Sequence, residues 1–425
     1  MSVFRKTTEL LFGKKQVIQN IPPPPIPLQP YLEKAYKEAV DSGDLGEQPP
    51  GDTDAKLHVP VSIFVRGKPG HSHQYAGIHD DEVHFSASLL KVAAMFAAFS
   101  LLAEAKALAA TGSFANATAF FNALKLKFHS ADAVPAIRNA GVFLEPRYTD
   151  ILTVTGFGGV GATTVEFVPM FYHGVDEDFA LYEAYETVRT EDHLTIDAHR
   201  NRQENARSLA ALAKVSHMYR MIVPSNNGSA GECIRRLGYA YINVKLMNAG
   251  FYDPASSPPK GIWLAADYLG STRVEIDSLN DAKSAQATTS RQLARLFSLI
   301  QYEELINEES SKAMKNLLKE AHGVDVAWLK RTEDGGEVRK FYFRGVKVGL
   351  ANLKPNKDPK GPDVYSEGLL LKWKGNAQDL EDRKITGELA VCWQNLRVDF
   401  FGTGTFAIAH LIEKAFFNFL KQTPI

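Results

Sequence analysis

Three short groupings in this chain carry side chains that can do chemistry: Ser88-Leu89-Leu90-Lys91, Ser225-Asn226-Asn227 and Lys347-Val348-Gly349. A serine hydroxyl attacks a carbonyl only when a base takes its proton. Ser88 and Lys91 are three residues apart, and on a helix that spacing puts both side chains on one face. A lysine serves as base only where it is often neutral. Burial against an apolar helix lowers its pKa, and a second cation such as Lys347 lowers it further. A serine at a helix N-terminus also sets its own backbone N–H and the positive end of the dipole near a developing oxyanion. Taken singly, each grouping has a plain structural reading. Ser88 reads as a helix cap, Lys91 as a snorkelling lysine, Ser225 and Asn227 as a turn, and Lys347 as an edge-strand charge.

The elements that must hold these residues can be read from the pattern. The run LHVPVSIFVRG from Leu57 has strand-like alternation, and a second strand is expected before Asp80. From Ser88 the chain is rich in Ala and Leu, apolar almost all round and free of Gly and Pro, which predicts a helix in the middle of a domain. A helix near Ala115–Lys127 and a strand at Asp150–Thr155 follow. Helices return over Ser208–Met247, two short ones lie in Arg291–Leu318, antiparallel strands fill 339–401, and Thr405–Lys421 closes the chain as an amphipathic helix. Both ends of the chain thus supply strands to one antiparallel sheet with helices on its faces, an α+β fold.

In this setting the three groupings are similar, with departures, to the S-x-x-K, S-D-N and K-T-G set of serine β-lactamases and penicillin-binding proteins. The body resembles the class A β-lactamase and transpeptidase superfamily over about 56–103 and 205–425. The segment Thr288–Leu318, where paired threonines open a helix, adds to the likeness. The resemblance implies a β-lactamase-like α+β fold, an antiparallel sheet flanked by helices plus an all-helical part. It implies Ser88 as nucleophile, Lys91 as base, Ser225 as proton relay to Lys347 and the leaving group, and Asn227 as holder of Lys91 and the substrate amide. The backbone N–H of Leu350 would be the second oxyanion donor. The first two groupings lie 225 − 88 = 137 residues apart, so 104–204 is expected to be an inserted subdomain or lid, between 55–103 and 205–425 of the main domain. Residues 1–54 form a proline-rich tail, with Pro22–Pro25 favouring extended backbone and a short helix over Leu32–Ser42.

Two departures bear on substrate and turnover. Val348 replaces the hydroxyl residue of the third motif, and so lacks the donor that helps hold a substrate carboxylate. Glu275 stands where a water-activating glutamate would be sought, with Asn280 five residues on, one more than the family spacing. Glu275 reads equally well as an ordinary exposed glutamate. The implied activity is acyl-enzyme hydrolysis of an amide, lactam or ester. The alternatives are a metabolic amidase, esterase or acyltransferase, and a sensor that binds without turnover.

Composition excludes other classes. Lys plus Arg is 48 and Asp plus Glu is 49, and no basic cluster stands out, which speaks against nucleic acid as partner. Two cysteines, Cys233 and Cys392, support neither a disulfide framework nor a cysteine zinc site. The N-terminus lacks a signal-peptide core, and the apolar stretch Val92–Ala103 is too short to span a bilayer, so a cytoplasmic location with no membrane partner is expected. The glycines of Gly156–Gly161 fit G-x-G-x-x-G, but a β-branched and aromatic run follows where a helix is required, so a hairpin or lid loop is expected and no cofactor. The pairs His71/His73 and His193/His199 lack metal-ligand spacing, and no metal is expected from them.

Overall fold

The β-branched run after Pro60 folds as β1 (Val61–Gly67), buried along almost its whole length. The computed structural model describes residues 27–45, 58–128, 133–172, 216–270, 273–321, 341–351, 364–397 and 401–421. Ahead of β1 lies α1 (Gln29–Asp41), which starts with Pro30 in its first turn, where a missing N–H costs no hydrogen bond. It begins three residues earlier than the sequence pattern predicts. After β1 come β2 (Gln74–Ile78) and the short β3 (His84–Phe85). A 3-10 turn, Ala87–Leu90, then leads into α2 (Lys91–Thr111).

Helix α2 is the centre of the molecule: Val92 to Leu101 are all buried. With the 3-10 turn it is 25 residues long and holds an 18-residue window of mean hydropathy 1.6, long and apolar enough to cross a membrane by length and composition, yet 72% of that window is buried inside the protein. The sequence pattern places this helix from Ser88 onward; Ser88 to Leu90 belong instead to the 3-10 turn that leads into it. The helix also runs through residue 103, so the subdomain boundary expected there falls inside a continuous element.

Beyond α2, a helix at Ala117–Lys125 and the hairpin of β4 (Leu152–Thr155) and β5 (Thr164–Phe167) pack on the same core through Phe120, Leu124, Leu152 and Phe167. The glycine-rich segment is the link of this hairpin, and Gly156, Gly158 and Gly161 take the positive φ it requires. Strand, not helix, follows the glycines, as expected. The rest of the expected insertion, 173–204, with His193, His199 and the acidic patch Asp176–Asp178, lies outside the described residues.

The second half supplies α3 (Asn227–Leu237), β6 (Trp263–Leu264), β7 (Gln286–Thr288), α4 (Ser290–Gln301) and α5 (Glu308–Glu320). The strands β8 (Phe341–Ala351), β9 (Val364–Trp373) and β10 (Ile385–Arg397) and the helix α6 (Phe401–Lys421) follow. A helix at Ala377–Asp382, which the sequence pattern misses, joins β9 to β10.

The main sheet runs β8-β9-β10-β1-β2, antiparallel throughout. One row across it is Lys347, Gly368, Cys392 and Ser62. This row faces α4: Ser62 Oγ and Ser290 Oγ are 2.9 Å apart, and a Cβ on Gly368 would lie 2.6 Å from the Phe297 ring. On the opposite face Phe416 of α6 packs on Phe341 and Trp373, and Tyr31 of α1 meets Phe419. Gln29 of α1 exchanges two hydrogen bonds with Gly77, which covers part of the β2 edge. A smaller sheet, β3-β7-β6, sits beside the start of α2. Cys233 and Cys392 are both buried and free. The fold is therefore α+β, an antiparallel sheet drawn from both ends of the chain and covered by helices.

Candidate active site

The 3-10 turn carrying Ser88 is fixed from three sides. Ser86 donates its N–H to the Gln286 carbonyl at 3.1 Å, and Gln394 bonds to the Ser86 hydroxyl. Ala87 is held in the left-handed region at φ +46, and its carbonyl accepts from the Tyr268 hydroxyl at 2.9 Å. On the third side is β8: a Cβ on Gly349 would lie 2.2 Å from Ser86 O and 2.9 Å from Leu89 N. Only glycine lets the edge strand come this close to the turn, which explains the glycine of the third grouping. Leu350, one residue on and partly exposed, lies on that same edge.

Ser88 is half-buried, and its hydroxyl makes no hydrogen bond to another described residue. Lys91, one turn later at the start of α2, is fully buried. Its Nζ donates to Ser225 O at 2.6 Å and Asn227 Oδ1 at 2.7 Å, and lies 3.2 Å from Ser225 Oγ. From the sheet, Lys347 Nζ donates to the same Ser225 Oγ at 2.8 Å. Ser225 thus stands between two amines, 122 residues from one and 134 from the other in sequence.

Local structure explains how the second grouping delivers its groups. Ser225 sits at φ +56 in the turn before α3. Asn226 caps that helix, accepting from Ser229 N at 2.8 Å, which leaves the amide of Asn227 for Lys91. Asn227 is exposed, so the cluster opens to solvent on this side.

Burial governs both lysines. Desolvation pulls the Lys91 amine down from 10.5 to about 7. Burial, and then the charge of Lys91, holds the Lys347 amine well below its ordinary value. Among the described residues no carboxylate comes within ion-pair range of Lys91. The space over its Nζ is taken instead by the Tyr268 ring, with the centroid 4.7 Å away. Tyr268 is itself set by α3: a Cβ on Gly231 would lie 2.9 Å from Asp267 O, and Arg235 pairs with Asp267 at 3.1 Å.

Of the expected site residues, Lys91, Ser225, Asn227 and Lys347 converge, with Ser88 one turn ahead of Lys91. Glu275 lies exposed just before the hairpin strand Ile276–Ser278 and makes no ion pair with the buried Lys91. Asn280, its expected companion, is committed elsewhere. It accepts from Phe85 N at 2.7 Å and donates to Asn395 Oδ1 at 2.9 Å, so it supports β3 rather than a water. Val348 alternates to the face opposite Lys347, opposite Glu367 in register, and is buried. Tyr268 was not found from sequence. It lies 180 residues from Ser88, and an aromatic before a Leu-Gly turn carries no spacing signal.

No family model matches the chain, and no curated protein matches it. Solved structures do. The chain is similar to a class A β-lactamase from Bacteroides cellulosilyticus, at 10% identity and a TM-score of 0.46, covering 93% of this chain and 99% of that one. It is similar to a β-lactamase from Sphaerobacter thermophilus, at 14% identity and a TM-score of 0.43, covering 93% and 98%. A class A β-lactamase from Mycobacterium abscessus stands at 11% and 0.43, covering 91% and 99%.

Proposed function

We propose that this protein is a serine acyl-transfer enzyme that forms an acyl-enzyme on Ser88 from a small amide, lactam or ester. The observation that carries this reading is the pair of buried amines bonded to one hydroxyl, Lys91 and Lys347 at Ser225, one helical turn from a serine with an untethered hydroxyl. At neutral pH a large share of Lys91 is the free amine, since its pKa is about 7. A neutral amine keeps two N–H donors, enough for Ser225 O and Asn227 Oδ1, and one lone pair for a proton. Lys91 takes the Ser88 proton as Oγ bonds to the carbonyl carbon. The carbonyl oxygen becomes an oxyanion near the N-terminus of α2 and the Leu350 amide. The proton passes through the Ser225 hydroxyl to the departing nitrogen or oxygen as its bond to carbon breaks.

A second reading has its own support. The Tyr268 ring lies over Lys91, no described carboxylate pairs with Lys91, and Glu275, the expected water-activating glutamate, is exposed. Under this reading the acyl-enzyme persists, and the protein acts as a sensor or passes its acyl group to a specific acceptor. Val348 also argues for a substrate that lacks the carboxylate of a β-lactam.

Intact-mass measurement tests both. The protein and Ser88→Ala are mixed with β-lactams and activated esters and followed over time. An adduct that depends on Ser88 and decays supports a hydrolase. A lasting adduct supports the second reading. Equal labelling of Ser88→Ala overturns the assignment of the nucleophile.

A further inference from the structure

Away from this site, two imidazoles and a carboxylate meet beside α1. His58 Nδ1 is 2.8 Å and His79 Nδ1 3.2 Å from the same oxygen, Glu82 Oε1. One donor atom from each residue lies within 4.8 Å of the other two. The other carboxylate oxygen, Glu82 Oε2, is buried and has no hydrogen-bond partner among the described residues; His84 Nε2 is 4.0 Å away. A tetrahedral zinc, with bonds of about 2.0–2.1 Å, spaces its ligand atoms about 3.3 Å apart. The two spacings of 2.8 and 3.2 Å are close to that. The side chains are 15%, 33% and 23% exposed, so an ion can enter from solvent.

We propose that His58, His79 and Glu82 form a binding site for a divalent transition metal of the zinc class. Two imidazole nitrogens and one carboxylate oxygen suit such an ion better than magnesium or calcium, which prefer all-oxygen shells. Binding rotates the two rings out of their stack, now 3.7 Å between centroids, so that both lone pairs meet at the ion, and any proton on either Nδ1 is released. The ion joins the start of β1, the end of β2 and the approach to β3. The His58 carbonyl accepts from Asn395, Asn395 from Asn280, and Asn280 from the Phe85 N–H, so the same residues brace the strand leading to the Ser88 turn. The site stands independently of the acyl-transfer reading, and its test needs no turnover.

The full chain, stripped with a chelator, is titrated with zinc against a chromogenic competitor, and separately with cobalt while visible absorption is recorded. One equivalent of zinc and strong cobalt bands are expected. His79→Asn, chosen because asparagine tolerates the φ of +50 there, and Glu82→Gln each weaken zinc at least about tenfold. His71→Ala, a change at an exposed histidine outside the cluster, leaves binding unchanged. The cobalt spectrum of the unaltered chain answers even if a variant does not fold. Absence of both zinc uptake and cobalt bands, or unchanged binding in His79→Asn and Glu82→Gln, overturns the proposal.

Discussion

Lys91 makes a thermodynamic prediction that needs no substrate. Burial holds its amine at about 7 against an ordinary 10.5. Below about pH 7 the amine is protonated in both folded and unfolded chains, and the folded state bears the whole desolvation penalty. Between about 7 and 10.5 the unfolded chain holds more of this proton than the folded one, so stability rises with pH through that window. At about 1.36 kcal/mol per pKa unit, the penalty is on the order of 5 kcal/mol at acid pH and has fallen to about 2 kcal/mol at pH 9. Lys91→Met removes this titration. The stability of the unaltered protein relative to Lys91→Met therefore climbs by about 2–3 kcal/mol from pH 6 to pH 9. Urea unfolding at both pH values measures it, provided the slopes agree. Lys347 responds to the loss of the Lys91 charge, so the comparison is repeated in a Lys347→Met background. A difference between the two proteins that stays flat across the window would refute the claim that Lys91 is held neutral by burial.

On the proposed acyl-transfer reading the same amine is the base, so acylation should fall about tenfold per unit below pH 7 and level off above it when adduct formation is timed by mass. Gly349→Ala pushes a methyl onto Ser86 O and Leu89 N; it should cost about 1–3 kcal/mol in urea unfolding and slow acylation much more than it destabilises. Asn280→Ala removes the acceptor of the Phe85 N–H and a donor to Asn395 Oδ1, and should cost about 2–4 kcal/mol by the same assay.

The parts of the fold that were legible in sequence are those with strong period or strong composition. The alternation in Val61–Gly67 and the Ala- and Leu-rich run of α2 point to their elements, as do the paired helices α4 and α5 and the strands β8 to β10. The candidate site was legible where its residues fall in short groupings: Ser88 with Lys91, Ser225 with Asn227, and Lys347. What sequence could not convey is contact between distant segments. Tyr268 reaches the turn only because Gly231 lets its segment lie on α3. Asn280 has the composition of a catalytic companion, yet its amide is used in bracing β3. Glu275 shows the same limit, since a glutamate near the expected spacing reads alike whether it faces a lysine or solvent. Spacing also gave no hint of the His58, His79 and Glu82 cluster, because a chain reversal after β2 brings its members together.

The order of strands in the main sheet has a consequence for the making of the protein. Val61 pairs with Trp393, its partner 332 residues later. At roughly 5–20 residues per second of synthesis, β1 waits on the order of half a minute for β10 to emerge from the ribosome. Through that interval one side of the strand Val61–Val65, apolar and rich in β-branched residues, has no neighbour. Ser225 and Lys347 also arrive late, so a nascent chain carries Ser88 long before it can use it. On the acyl-transfer reading proposed above, this order keeps Ser88 without its partners during synthesis, and the open edge of β1 is a pairing hazard for the nascent chain until β10 emerges.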